Sequence, residues 1–203
     1  MKMETKLKEF MEKLKEMNGV EYFEKFMLFL LAPVLSGFKP SSTITLKKDS
    51  KEYFIWNNHK DIFLNKVNLK YKVLREDDRA MILLIYSSNN LNKCLEDKEV
   101  KEFLMKLGYE VCLNLESYLD KLSERYKLYN CPHELGIFLG IPLTDVIDFM
   151  ECSNKKCLLC GYWKVYNNCE NALNIFKKYD ESKERILNYI IEEYETEKII
   201  SML

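Results

Sequence analysis

Four groups of residues have types and spacings that suit chemistry. The first is Cys131-Pro132-His133-Glu134-Leu135-Gly136, which sets an imidazole beside an acid and close to a thiol. Imidazole ligates metals and exchanges a proton near neutral pH, so this is the material of a metal site or of a thiolate–imidazole pair. Glu134 also suits a helix start, because Pro132 at the first helical position and an acid in the first turn match the backbone geometry and the macrodipole. His133 has no such local explanation.

The second group is cysteine spacing. Cys152, Cys157 and Cys160 follow C-x4-C-x2-C, the opening of a plant-type ferredoxin pattern, with Cys169 as a further thiolate. With Cys131 or His133 added, the same residues offer zinc a tetrahedral set. Neither pattern is complete, since a plant-type cluster places its last cysteine much further on and the usual zinc signature has two close pairs. Cysteine is also an ordinary core residue. Zinc, an iron–sulfur cluster and core thiols therefore stand as alternatives.

The third group, Leu135 to Val146, has a small residue at Gly136, a turn glycine at Gly140 and apolar anchors after it, as two tightly crossed helices of helix-turn-helix type require. DNA is not the expected partner. From Cys131 to Glu151 there are acids at Glu134, Asp145, Asp148 and Glu151 and no Lys or Arg, which would repel phosphate. The fourth group is Cys160-Gly161-Tyr162-Trp163-Lys164-Val165-Tyr166. Its aromatics and Lys164 suit a pocket that stacks a ligand or cofactor and meets an anion, with Tyr162, Trp163, Lys164 and Tyr166 as contacts. As backbone it reads as a half-buried strand, with Tyr162, Lys164 and Tyr166 on one face and Trp163 and Val165 on the other.

These residues must be positioned by the elements around them. Leu7, Phe10, Met11 and Leu14 share one helical face, Asn18-Gly19 stops that helix, and a second helix runs from about Val20 to Leu35. Thr43 to Leu46 and Tyr53 to Trp56 are short β-branched or aromatic runs and read as strands. Leu69, Tyr71 and Val73 alternate with lysines, a charged turn follows, and Met81 to Tyr86 is continuously apolar: an antiparallel hairpin at about 67–87 whose second strand is central. Helices are expected over about Asn90 to Leu107, broken near Asp97, and over Leu113 to Tyr126. Cys169 to Tyr179 and Ser182 to Leu203 read as two more. The last carries a stripe of Ile186, Leu187, Ile190, Ile191 and Tyr194 that serves either the domain's own sheet or a protein partner or homodimer face.

The expected fold is α+β, one domain over 1–203: a helical part at about 1–36, a β-rich part at about 41–87, and a helical, motif-bearing part at about 90–203 with a helix-turn-helix-like pair near 132–151. A small, mainly antiparallel sheet is covered by helices. The 203 residues carry 31 basic and 32 acidic side chains, a net charge of −1 that calls for neither nucleic acid nor an anionic membrane. The Lys/Glu-rich N-terminus lacks a secretory signal, and the apolar run Phe26 to Leu35 is far short of the roughly 20 residues a bilayer span needs. A soluble cytoplasmic protein is expected, in a reducing compartment where its seven cysteines stay unpaired.

Pro132 to Gly140 (P-H-E-x-G-x-F-L-G), Pro142 to Val146 (P-x-x-D-V) and Gly161 to Tyr166 (G-Y-W-K-V-Y) resemble the family known as domain of unknown function 3793, found mainly in Clostridia and other Firmicutes. Ala32 to Pro40 is similar to its N-terminal signature. Family members often carry Cys just before that Ala-Pro, where this chain has Leu31, and they commonly lack cysteines at the positions of Cys152 and Cys157. The resemblance implies no established activity. The expected function is a cytosolic ligand-, cofactor- or metal-binding role in anaerobic redox or iron metabolism, using His133, Cys160 and the Tyr162 to Tyr166 segment. Two alternatives are a cysteine-dependent enzyme pairing Cys160 with His133, and a protein–protein adaptor.

Overall fold

The computed structural model describes residues 2–109, 112–151 and 155–203. Two helices open the chain, α1 (Lys2–Glu16) and α2 (Gly19–Leu35), the second capped by Asn18, whose side chain accepts the Glu21 N–H at 3.0 Å. The end of α2 explains the S-G-F-K segment. The Gly37 N–H donates to the Val34 carbonyl and the Phe38 N–H to the Pro33 carbonyl, both at 3.0 Å, with Gly37 at φ +74°: a Schellman stop. A second bond to the Pro33 carbonyl, from the Lys39 N–H, turns Lys39 and Pro40 back over the helix end.

The main sheet comprises β1 (Ser41–Lys47), β2 (Lys70–Glu76) and β3 (Ala80–Tyr86), antiparallel in the order β1-β3-β2. The central strand is buried on both faces. Met81, Leu83 and Ile85 enter one core with α1, α2 and α3 (Lys51–Lys66), while Leu84 and Tyr86 enter another, formed with α4 (Ser88–Glu96), α5 (Lys98–Leu104) and α6 (Leu115–Tyr129). A strand buried on both sides reads as a continuous apolar run, which is why alternation fails at Met81 to Tyr86.

Three expectations are corrected. Tyr53 to Trp56 is not a strand but the first half of α3. Ser50 caps that helix, accepting the Tyr53 N–H at 3.3 Å, and Trp56, Phe63 and Leu64 lie on one buried face. The four-residue window was too short to show that period. Cys169 to Tyr179 and Ser182 to Leu203 are not two helices split at Asp180. They form one helix, α9 (Cys169–Ile191), followed by the short α10 (Thr196–Ser201). The stripe Ile186, Leu187 and Ile190 is fully buried against α1 and α2 rather than the sheet, which leaves those three residues no face for a partner. The expected break near Asp97 is present: its side chain accepts the Val100 N–H at 3.1 Å and starts α5. No described helix is long and apolar enough to cross a membrane.

The third correction concerns Cys160 to Tyr166, which is a tight hairpin rather than one strand: β4 (Leu159–Cys160) pairs with β5 (Lys164–Val165), and Gly161-Tyr162-Trp163 forms the turn. Trp163 and Val165 pack with Ala172, Phe176 and Tyr179 of α9 in a third, smaller core.

Candidate functional site

The site is built on two short helices, α7 (Leu135–Phe138) and α8 (Leu143–Glu151), with the hairpin laid across them. Both glycines of the turn have steric reasons. A Cβ on Gly136 would lie 2.8 Å from Val146 Cγ2, so the helices cross only with glycine there. Gly140 has φ +78°, and a Cβ on it would lie 2.6 Å from Pro40 Cδ.

Two buried acids hold this framework. Asp145 accepts the Trp163 indole N–H at 2.8 Å, the Tyr166 and Asn167 backbone N–H groups at 3.0 and 3.1 Å, and the Asn167 side-chain amide at 2.9 Å. One carboxylate thus ties the hairpin to α8. Glu134 does not serve the start of α7, where it makes no side-chain cap. It is 1% exposed, ion-paired with Arg125 of α6 and hydrogen-bonded by the Tyr109 hydroxyl at 3.3 Å, while Arg125 also donates to the Leu107 carbonyl at 3.0 Å. Burial, and then the Glu134 charge, drive the Tyr109 phenol far above its ordinary pKa.

Between these supports lies a cleft of about 250 Å³. Pro132, Leu135, Leu139, Ile141, Val146 and Trp163 make its apolar wall. The buried Asp145, its carboxylate occupied by the hairpin, also lines it, and its exposed basic groups sit at the mouth, where the His133 ring meets the Phe149 ring edge-on at 4.9 Å and Lys164 Nζ stands 5.5 Å from the same Phe149 centroid. Both side chains belong to exposed residues, and among the described residues neither makes an ion pair with a carboxylate. Two basic groups therefore flank one aromatic ring at the edge of an apolar hollow.

Residues 27–200 match the family model described as "Protein of unknown function (DUF3793)". The chain belongs to that family. No curated protein and no solved structure matches it. In this protein of the domain of unknown function 3793 family, the four sequence blocks that carry the resemblance meet in space. Pro40 lies against Gly140, the Ser41 hydroxyl donates to the Phe138 carbonyl at 2.6 Å, and Asp145 of P-x-x-D-V holds the Gly-Tyr-Trp turn.

The cysteines do not gather in the same way. Cys131 lines the cleft and accepts the Tyr126 hydroxyl at 3.6 Å. Cys157 and Cys160 stand with their thiols 3.4 Å apart on the hairpin, outside the cleft wall, and Cys169 opens α9. Cys152 lies outside the described residues. Among the described residues no three His, Cys, Asp or Glu side chains come together as a metal-ligating group. The Cys160 thiol is pushed up, first by its hydrogen bond to Cys157, whereas an activated thiolate needs a depressed pKa. No hydrogen bond joins it to His133 among the described residues.

Of the four expected cofactor contacts, Tyr162, Trp163 and Lys164 border the cleft, while Tyr166 is buried behind it with its N–H on Asp145. Sequence reasoning passed over Asp145 and Phe149. Asp145 stood out only as a charge that disfavours DNA, and Phe149 only as one apolar residue of a helix. The P-x-x-D-V motif was the available signal for the first.

Proposed function

We propose that this protein binds a small amphipathic anion in the cleft between α7–α8 and the β4–β5 hairpin. The apolar part of the ligand lies along Leu139, Ile141 and Trp163, and its carboxylate or phosphate sits between His133 and Lys164. The supporting observation is the placement of those two uncompensated basic groups on either side of Phe149 at the mouth of an apolar hollow. At about 250 Å³ the cleft falls below the usual range of roughly 300–1,000 Å³ for drug-sized ligands, so it suits a small acid or one end of a larger cofactor.

Trp163 lines the cleft, and the second tryptophan, Trp56, is 1% exposed in a different core, so intrinsic fluorescence reports on the site. Titration with short-chain carboxylates and acyl phosphates is expected to give a saturable change. Replacing both His133 and Lys164 by alanine should weaken it at least tenfold, about the value of one charge-assisted contact. No saturable change with any of these probes, or equal affinity in the double variant, sinks the proposal. Flavins and haem belong in the same titration, because the role expected from the sequence lies in redox or iron metabolism.

The 3.4 Å thiol separation favours a second reading, a redox-active dithiol at Cys157 and Cys160. Two thiols give up two electrons and two protons to a disulfide oxidant such as oxidised glutathione, which leaves as two thiols, and one Sγ–Sγ bond forms. The tryptic peptide spanning both cysteines should then lose two hydrogens in mass and resist alkylation. Full alkylation in excess oxidised glutathione excludes this role.

A further inference from the structure

The cleft also carries a thiol that anion binding does not use. Of the described cysteines, Cys131 alone lines the hollow, and it shares that lining with His133 and Lys164. Its position is set by the end of α6. Asn130 follows that helix with φ +59°, its side chain accepting a 3.0 Å hydrogen bond from Arg75 Nη1, and the chain leaves the turn with Cys131 exposed.

The sulfur has a hydrogen-bond donor of its own. The Tyr126 hydroxyl reaches it at 3.6 Å, and burial, followed by that hydrogen bond, holds the phenol far above its ordinary pKa, so it stays protonated. A donor aimed at sulfur favours the thiolate over the thiol. His133 lies two residues further on in the same hollow. The acid next to it, Glu134, is engaged by Arg125 and Tyr109, and the carboxylate that lines the cleft, Asp145, is occupied by Trp163, Tyr166 and Asn167. The imidazole is therefore open to take a thiol proton, and the imidazolium so formed adds its charge to that of Lys164 at the mouth.

These groups select among small anions. A plain carboxylate meets the two cations but offers sulfur no carbon with a competent leaving group. An acyl phosphate presents its phosphate to the cations, a carbonyl carbon one oxygen away from that phosphate, and an alkyl chain for Leu139, Ile141 and Trp163. We infer that Cys131 is a nucleophile in this cleft and that small acyl phosphates acylate it, an inference that rests on the cleft being a small-anion site. In this step His133 takes the Cys131 proton and Sγ bonds to the carbonyl carbon. The bond from that carbon to the phosphate oxygen breaks, and its electron pair leaves with inorganic phosphate. A thioester remains on Cys131, and nothing is oxidised or reduced.

The test incubates the reduced full chain with butyryl phosphate and reads acylation of each cysteine peptide by mass spectrometry, with and without neutral hydroxylamine, which cleaves thioesters. Binding of butyrate is followed in parallel by Trp163 fluorescence. Cys131 should gain a hydroxylamine-labile butyryl group faster than the exposed Cys160, and saturating butyrate should suppress it. His133→Ala should slow it at least about tenfold, the low side of what a proton-accepting side chain contributes. Cys131→Ala should lose the adduct while keeping the native circular dichroism. Butyrate binding without acylation of Cys131, acylation no faster than at Cys160, or acylation that butyrate does not suppress overturns the inference and leaves the anion cleft standing. Absence of both butyrate binding and acylation removes the two together.

Discussion

The framework beneath the cleft and the mouth of the cleft are built from neighbouring residues with opposite fates. Glu134 and Asp145 are buried and saturated, one by Arg125 and Tyr109, the other by four donors from the hairpin and its flank. His133, adjacent to Glu134, and Lys164, adjacent to Trp163, face outward and have no carboxylate partner among the described residues. A polar group whose bonds are all satisfied within the chain has nothing left for a ligand. The difference separates the residues that set the shape of the cleft from those left open to the proposed ligand.

The largest expected effect tests the framework. Asp145→Ala strips the Trp163 indole and two backbone N–H groups of their acceptor, and should cost roughly 3–4 kcal/mol in urea unfolding. A loss below about 1 kcal/mol would mean that the hairpin is held by its apolar contacts alone. Next, Glu134→Gln leaves Arg125, whose side chain is only 17% exposed, without its counter-charge and should cost about 2–3 kcal/mol by the same measurement.

Lys39 should respond in the opposite direction. Lys39 has a folded-state pKa of about 8 against an ordinary 10.5, so the folded chain binds fewer protons than the unfolded chain between those values. The penalty is fully present below pH 8 and fades as pH rises toward 10.5. Lys39→Met should therefore stabilise the protein near neutrality by on the order of 1–2 kcal/mol, with the advantage over wild type shrinking through that window. An advantage independent of pH would assign the gain to packing rather than charge. The smallest effect belongs to the mouth: His133→Ala and Lys164→Ala should each alter stability by less than about 0.5 kcal/mol. A larger loss in either would move that residue into the framework.

Much of the scaffold was legible in advance. Alternation at Leu69 to Val73 and the apolar run at Met81 to Tyr86 gave the hairpin and its central strand. Asp97 marked the start of α5, and the glycines at 136 and 140 marked the helical pair. The reading failed where a local pattern was too short or was overruled by distant packing. Tyr53 to Trp56 looks extended until the sixteen residues of α3 are taken together. Cys160 to Tyr166 alternates like a strand, yet a Cβ on Gly161 would lie 2.2 Å from the Phe176 ring, and the indole of Trp163 is drawn to Asp145, so the chain reverses there.

The site was legible as a neighbourhood rather than as a constellation. His133, Trp163 and Lys164 were singled out from residue type and do share the cleft, but the cysteine spacing suggested a ligand set of which only Cys157 and Cys160 meet among the described residues. Sequence alone determined the helix and strand periods, the caps and the tight turns, because these follow from hydrogen bonds and side-chain directions within a few residues. Only the tertiary structure decided which acid is spent on a partner, which basic group is left without one, and which thiols touch. Each of those outcomes depends on a group delivered from another part of the chain, as Arg125 is to Glu134 and Trp163 to Asp145.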